Sequence, residues 1–104
     1  MDQDRNRDDL WWSKRGWEDY LHWQASDATK VAAINGLIRD IRKTPFTGLG
    51  KPEPLRENWS GWWSRRITLE HRLVYRLLDL PAPGVKHART TIRMIQIAQC
   101  RFHY

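Results

Sequence analysis

The residues of this chain best suited to chemistry are His103 and Tyr104 at its end, Glu53 held between two prolines in KPEP, and a run of arginines through the second half. An imidazole and a carboxylate are the groups that move protons near neutral pH. Guanidiniums hold phosphates through paired, charge-assisted hydrogen bonds. Together they suit metal-free RNA cleavage. A base takes the 2′-hydroxyl proton, the oxygen attacks the adjacent phosphate, and an acid protonates the leaving 5′-oxygen while guanidiniums hold the added charge. No carboxylate cluster or multi-cysteine set is present to bind a metal, so neither metal nor cofactor is expected. Each residue also has a plain reading: a surface histidine, a solvated turn glutamate, arginines that solubilise or pair with acids.

The composition points the same way. The formal charge is +6, and the stretch from Lys51 to Tyr104 by itself carries +6. Basic residues concentrated in this way favour a polyanion partner, nucleic acid ahead of an anionic membrane. No run of apolar residues is long enough to span a bilayer, and the charged start MDQDRNRDDL lacks the apolar core of a secretion signal, so a cytoplasmic location is expected. Cys100, the only cysteine, excludes an intramolecular disulfide and reads as a buried apolar thiol beside Ala98 and Phe102.

The elements that must position these residues follow from periodicity. Residues 1–9 lack an apolar pattern and read as a disordered lead to one domain over 10–104. Leu10 to Trp12 reads as a short strand, and Ser13 as the cap of a helix running to about Gln24, with Trp17, Tyr20, Leu21 and Gln24 on one side. Ser26 or Asp27 caps a second helix with a Val31, Ile34, Ile38, Ile41 stripe, stopped by Pro45. Phe46 to Arg56, with two glycines and two prolines, reads as a loop. Three strands follow: Gly61 to Leu69, His71 to Leu80, and Thr91 to Tyr104. The result is an α+β fold with an N-terminal strand and a two-helix hairpin packed on a twisted, mainly antiparallel sheet.

Alternation places Ser64, Arg66, Thr68 and Glu70 on one face of their strand and Arg72, Val74 and Arg76 on one face of the next. Arg65 falls opposite Arg66. Gln99, Arg101 and His103 share a polar face of the last strand. The tryptophans read mainly as packing residues, with Trp59 and Trp62 the best placed to stack on bases.

WEDYLHWQ, INGLIRDIRKTPF, GKPEPL, SRRITLEHRLVY and CRFHY resemble, in that order, the YoeB branch of the RelE superfamily of bacterial toxins. The resemblance runs from Leu10 to the end. It implies a ribosome-dependent endoribonuclease that cuts messenger RNA in the A site of the 70S ribosome without a metal. It also implies neutralisation by a YefM-type antitoxin, binding to operator DNA only through the antitoxin complex, and homodimerisation as an option. By resemblance Glu53 is the general base, Arg72 the phosphate-stabilising group, His103 the general acid and Tyr104 a positioning group. Lys51, Arg56, Arg65, Arg66 and Arg101 are the expected RNA-binding residues. Arg56 stands where the family carries lysine, a fork in place of a point charge. The lead and the long LPAPGVKHART connection depart from the family. The connection carries Lys86, His87 and Arg89, which are expected to add a contact to ribosomal RNA, or else to lie in a solvated loop.

A catalytically inactive or retargeted toxin-fold protein, binding nucleic acid or antitoxin, is the alternative reading.

Overall fold

The computed structural model describes residues 9–81 and 91–104. Most of the expected lead, and the Lys86, His87, Arg89 contact, lie outside the described residues. The elements are β1 (Leu10–Trp12), α1 (Lys14–Ser26), α2 (Ala28–Lys43), β2 (Glu53–Pro54), a 3-10 turn (Glu57–Trp59), β3 (Trp63–Arg66), β4 (Arg72–Pro81) and β5 (Thr91–Gln99). They form a five-stranded sheet in the order β1-β5-β4-β3-β2, antiparallel except for the β1–β5 pair. The α+β expectation holds. Among the described residues no helix is long and apolar enough to cross a membrane.

Local chemistry accounts for the helix ends. Ser13 Oγ accepts the Gly16 N–H at 2.9 Å, the ordinary first-turn cap, and Asp27 caps α2 through the Thr29 N–H at 3.0 Å. Bonds from Thr29 and Lys30 hold the Asp27 carboxyl down at about 2, so the stability this cap adds is full above the usual carboxylate range and is lost as pH falls from there through about 2. The apolar stripe of α2 is buried through Ile34, Leu37, Ile38 and Ile41, against Leu73, Tyr75, Ile95 and Ile97 of the sheet.

The inward face of α1 differs from the expected one. Trp17 and Leu21 are 44% and 43% exposed, while Gly16, Asp19 and Trp23 are buried. The reason is a polar demand from another part of the chain. Asp19 Oδ2 accepts the Cys100 N–H at 3.0 Å, and Trp23 Nε1–H donates to the Cys100 carbonyl at 2.8 Å, so α1 clasps the peptide that follows β5. Trp17 and Tyr20 instead gather with Trp12 in an aromatic cluster, at centroid distances of 4.7 to 5.8 Å. Asp9, expected to be part of a disordered lead, accepts the Ile95 N–H at 2.6 Å and pairs with Arg42.

Gly16 permits the close approach of α1. A Cβ there would lie 2.8 Å from the Ile97 carbonyl oxygen, a backbone atom that cannot swing aside. Alanine would gain about 1 kcal/mol of helix propensity. Overpacking against backbone costs about 1–3 kcal/mol, so the clash should win. Gly16→Ala is expected to lower stability, and Gly16→Val to lower it further; urea melts of the three proteins measure both, and a stabilised alanine variant would contradict the packing argument.

Candidate active site

Two departures from strand periodicity shape the site. The first lies in the predicted loop: Glu53 and Pro54 form a two-residue edge strand, with Glu53 opposite Ser64 and Pro54 opposite Trp63. Proline is tolerated here because an edge strand leaves one row of its backbone unpaired. Lys51, just upstream, turns the chain with φ of 52°.

The second lies in β5. Tyr75 faces Ile97, but Val74 faces Gln99, so Ala98 is an extra residue and the ladder bulges. A bulge reverses the alternation beyond it. Ile95 and Ile97 point into the core, yet Gln99 turns to the opposite face and Cys100 returns to the core. The strand then ends at Gln99 rather than running on to Tyr104, because Phe102 adopts a left-handed φ of 65°. His103 and Tyr104 are exposed on a bent tail.

Leu73 and Tyr75 belong to the core, so Arg72, Val74 and Arg76 project from the other side of β4. Across from them in β3 stand Arg66, opposite Arg72, and Ser64, opposite Val74. One row therefore crosses the face of the sheet opposite the helices: Glu53, Ser64, Val74, Gln99, of which Glu53 is exposed and the other three are buried. The tail is tied to this row. Ser64 Oγ and the Tyr104 hydroxyl are 3.3 Å apart, and Gln99 Nε2–H donates to the His103 carbonyl at 3.4 Å. The His103 and Tyr104 rings lie 5.5 Å apart. Glu53, Tyr104 and His103 are thus linked through Ser64 and the tail, although far apart in sequence.

Arg66 and Arg72 oppose one another directly in the ladder. Like charges in that position repel, a cost that a bound anion would turn into attraction. Arg72 is held to the turn before β4: its Nη1 donates to the carbonyls of Thr68, Leu69 and His71 at 2.7, 2.9 and 3.2 Å. Nearby, Arg76 stacks 4.5 Å from the Trp62 ring and donates to Gln96 Oε1 at 2.5 Å. Lys51 and Arg56 are exposed on either side of Glu53.

Two expected RNA-binding residues are placed differently. Arg65 is fully buried on the helix face and cannot meet a nucleic acid in the folded protein. Its guanidinium donates to Asp40, to the Tyr75 hydroxyl, and to the carbonyls of Thr44, Thr47 and Leu49, organising the loop after α2. The Leu49 N–H and Arg65 hold the Asp40 carboxyl below its usual range. Arg101 lies 4.5 Å from the Phe102 ring and 6.0 Å from that of Trp23, on the side of the tail that α1 covers. Cys100 is buried, and desolvation pushes its thiol up to about 12, which keeps it protonated and unreactive. Among the described residues no three His, Cys, Asp or Glu side chains gather as metal ligands would.

The family described as YoeB-like toxin of bacterial type II toxin-antitoxin system matches residues 12–104. The chain belongs to the YoeB-like toxins. It is 52% identical over 95 residues to Toxin YoeB of Escherichia coli (strain K12), covering 91% of this chain and 98% of that one. A solved YoeB/ParE toxin from Agrobacterium tumefaciens superposes with a TM-score of 0.77 at 48% identity, covering 91% and 98% of the two chains. A toxin chain solved in the YoeB-YefM complex from Staphylococcus aureus superposes with a TM-score of 0.73 at 35% identity, over 94% and 99%.

Sequence reasoning about this YoeB-like toxin passed over three residues that hold the tail: Ser64, Gln99 and His71, whose Nδ1 accepts the Phe102 N–H at 2.7 Å. Alternation had put Ser64 and Gln99 on polar faces. Nothing in their spacing pointed to the chain end as their partner.

Proposed function

We propose that this YoeB-like toxin is a ribosome-dependent endoribonuclease that cuts messenger RNA in the A site by acid/base chemistry. The observation that carries the proposal is the opposed Arg66–Arg72 pair beside Glu53, on the face of the sheet that also receives the His103–Tyr104 tail. In this reading a phosphate lies against Arg66 and Arg72, which balance its charge and remove their mutual repulsion. The Glu53 carboxylate takes the proton from the ribose 2′-hydroxyl. The freed oxygen forms a bond to phosphorus as the bond to the 5′-oxygen breaks, and His103 delivers a proton to that leaving oxygen. The products are a 2′,3′-cyclic phosphate and a 5′-hydroxyl. Tyr104, next to Ser64, packs against the substrate and limits where the phosphate sits. Lys51 and Arg56 meet the backbone on either side, and Arg76 with Trp62 offers a cationic and stacking surface further along.

So few groups gain much of their rate from orientation, which the ribosome supplies by fixing the messenger. Free RNA should therefore be a poor substrate. Primer extension on a defined messenger, in purified ribosomes halted with an empty decoding site, tests the reading. A stop within the decoding-site codon, absent from the same RNA without ribosomes, is expected; intact messenger on toxin-bound ribosomes would favour an inactive or retargeted binder.

The partner that follows from this face is a YefM-type antitoxin whose acidic segment covers the arginines. Charge complementarity supports it, as does the relative from Staphylococcus aureus solved with YefM.

A further inference from the structure

We propose that His71 is the positioning residue for the chain end: its unprotonated Nδ1 captures the Phe102 N–H and thereby sets where His103 and Tyr104 point. This deepens the ribonuclease reading and rests on it for its catalytic consequence. Phe102 is the last residue before the candidate acid, and its left-handed φ of 65° is one that side-chain-bearing residues rarely adopt. Something must hold it there. Both sides of Phe102 are clamped by neighbours at the start of β4: its N–H by the ring of His71, which precedes the strand, at 2.7 Å, and its carbonyl by the N–H of Arg72, the first strand residue, at 3.0 Å. The ring itself is fixed edge-on to Trp23, at 4.8 Å between centroids, and lies 5.6 Å from the Phe102 ring. Through His71 and Arg72 the same two residues hold the tail and carry a guanidinium beside Arg66, so the acid and the phosphate-binding pair share one mount.

The contact works only with an unprotonated Nδ1, since a protonated ring would point one N–H at another. His71 titrates below the usual histidine range, first because burial disfavours the cation. Lys30 of α2, Arg101 of the tail and His22 of α1 push the same way, and Glu70 opposes them. The native state therefore binds fewer protons here than the unfolded chain. The anchor is complete above about pH 6.5 and is lost as pH falls through the lowered value.

Two variants separate the roles. His71→Asn keeps an acceptor in the place of Nδ1 and does not titrate; His71→Phe keeps an aromatic ring and removes the acceptor. In the 15N-labelled full-length protein, the parent Phe102 amide should be protected at pH 7 and should shift with the His71 ring signals as pH is lowered. In His71→Asn it should stay protected and not follow pH, and in His71→Phe it should exchange freely. On programmed ribosomes His71→Phe should lose about 10²-fold in kcat with ribosome affinity unchanged, the scale expected for a reacting group misplaced by about 1 Å, and His71→Asn should recover most of that rate. A His71→Phe variant as protected and as fast as the parent would overturn the proposal. So would a His71→Asn variant whose Phe102 amide still titrates, a result that decides the matter even if His71→Phe fails to fold. A parent that cuts nothing, but whose Phe102 amide follows His71 as described, would support the anchor and count against the ribonuclease reading alone.

Discussion

Glu53→Gln and His103→Ala are each expected to remove messenger cleavage in the decoding site while leaving ribosome binding intact. Glutamine keeps the shape of the side chain and its exposed place opposite Ser64, but it cannot accept the 2′-hydroxyl proton. Alanine at 103 leaves the backbone ties to Gln99 and through Phe102 in place and deletes only the proton donor. A positioned acid or base contributes about 10²–10⁴-fold, so each variant should fall by that factor in single-turnover rate on programmed ribosomes. Affinity should hold, because the proposed reading gives the phosphate contacts to Arg66, Arg72, Lys51 and Arg56 rather than to these two. Parent-like cutting by either variant would refute its assignment. Loss of cutting together with loss of binding would mean that the substitution disturbed the surface and not the proton transfer.

Arg65→Met is expected to cause the largest loss of stability of any single arginine change in the sheet. The methionine fills much of the volume, but five acceptors each lose the bond from the guanidinium: Asp40, the Tyr75 hydroxyl and the carbonyls of Thr44, Thr47 and Leu49. Arg65 is fully buried, and losing several of its charge-assisted bonds at once costs about 3 kcal/mol, even though the acceptors in the partly exposed loop can turn to water. In a chain of this size that corresponds to a fall in melting temperature of more than about 10 °C. Arg65→Lys should recover only a fraction, because one ammonium cannot reach acceptors spread around a planar fork. Gly48, whose φ is 109°, belongs to the same arrangement: a Cβ there would collide with the Asp40 carboxylate. Measured below the melting temperature, Arg65→Met should bind ribosomes with the salt dependence of the parent. A flatter dependence, by about one ion, would show that Arg65 meets phosphate after all.

The two helices and the three strands of the second half were legible because their signals are local, whereas the Glu53–Pro54 strand lay in the expected loop. Ser13 and Asp27 cap α1 and α2, and the α2 stripe faces the core, as spacing alone implied. The face of α1 was not legible, since Asp19 is drawn inward by the Cys100 N–H, a donor 81 residues away. Alternation also separated Arg65 from Arg66. It could not say that the Arg65 side is closed by the loop after α2, so an arginine that resembles its neighbour in sequence serves the core instead of the surface.

What the sequence by itself determined, then, is the inventory and the family: a basic α+β chain whose KPEP glutamate, paired arginines and terminal histidine and tyrosine are all present. Their assembly was decided by tertiary structure. The extra residue at Ala98 reverses the phase of β5, which sends Gln99 to the face opposite the helices and Cys100 to the core. The pairing of β2 with β3 then brings Glu53 to that face, and the left-handed bend at Phe102, clamped by His71 and Arg72, turns the chain end back beside Ser64. Each of these steps depends on hydrogen-bond partners distant in sequence, and local periodicity carries no information about partners it does not contain.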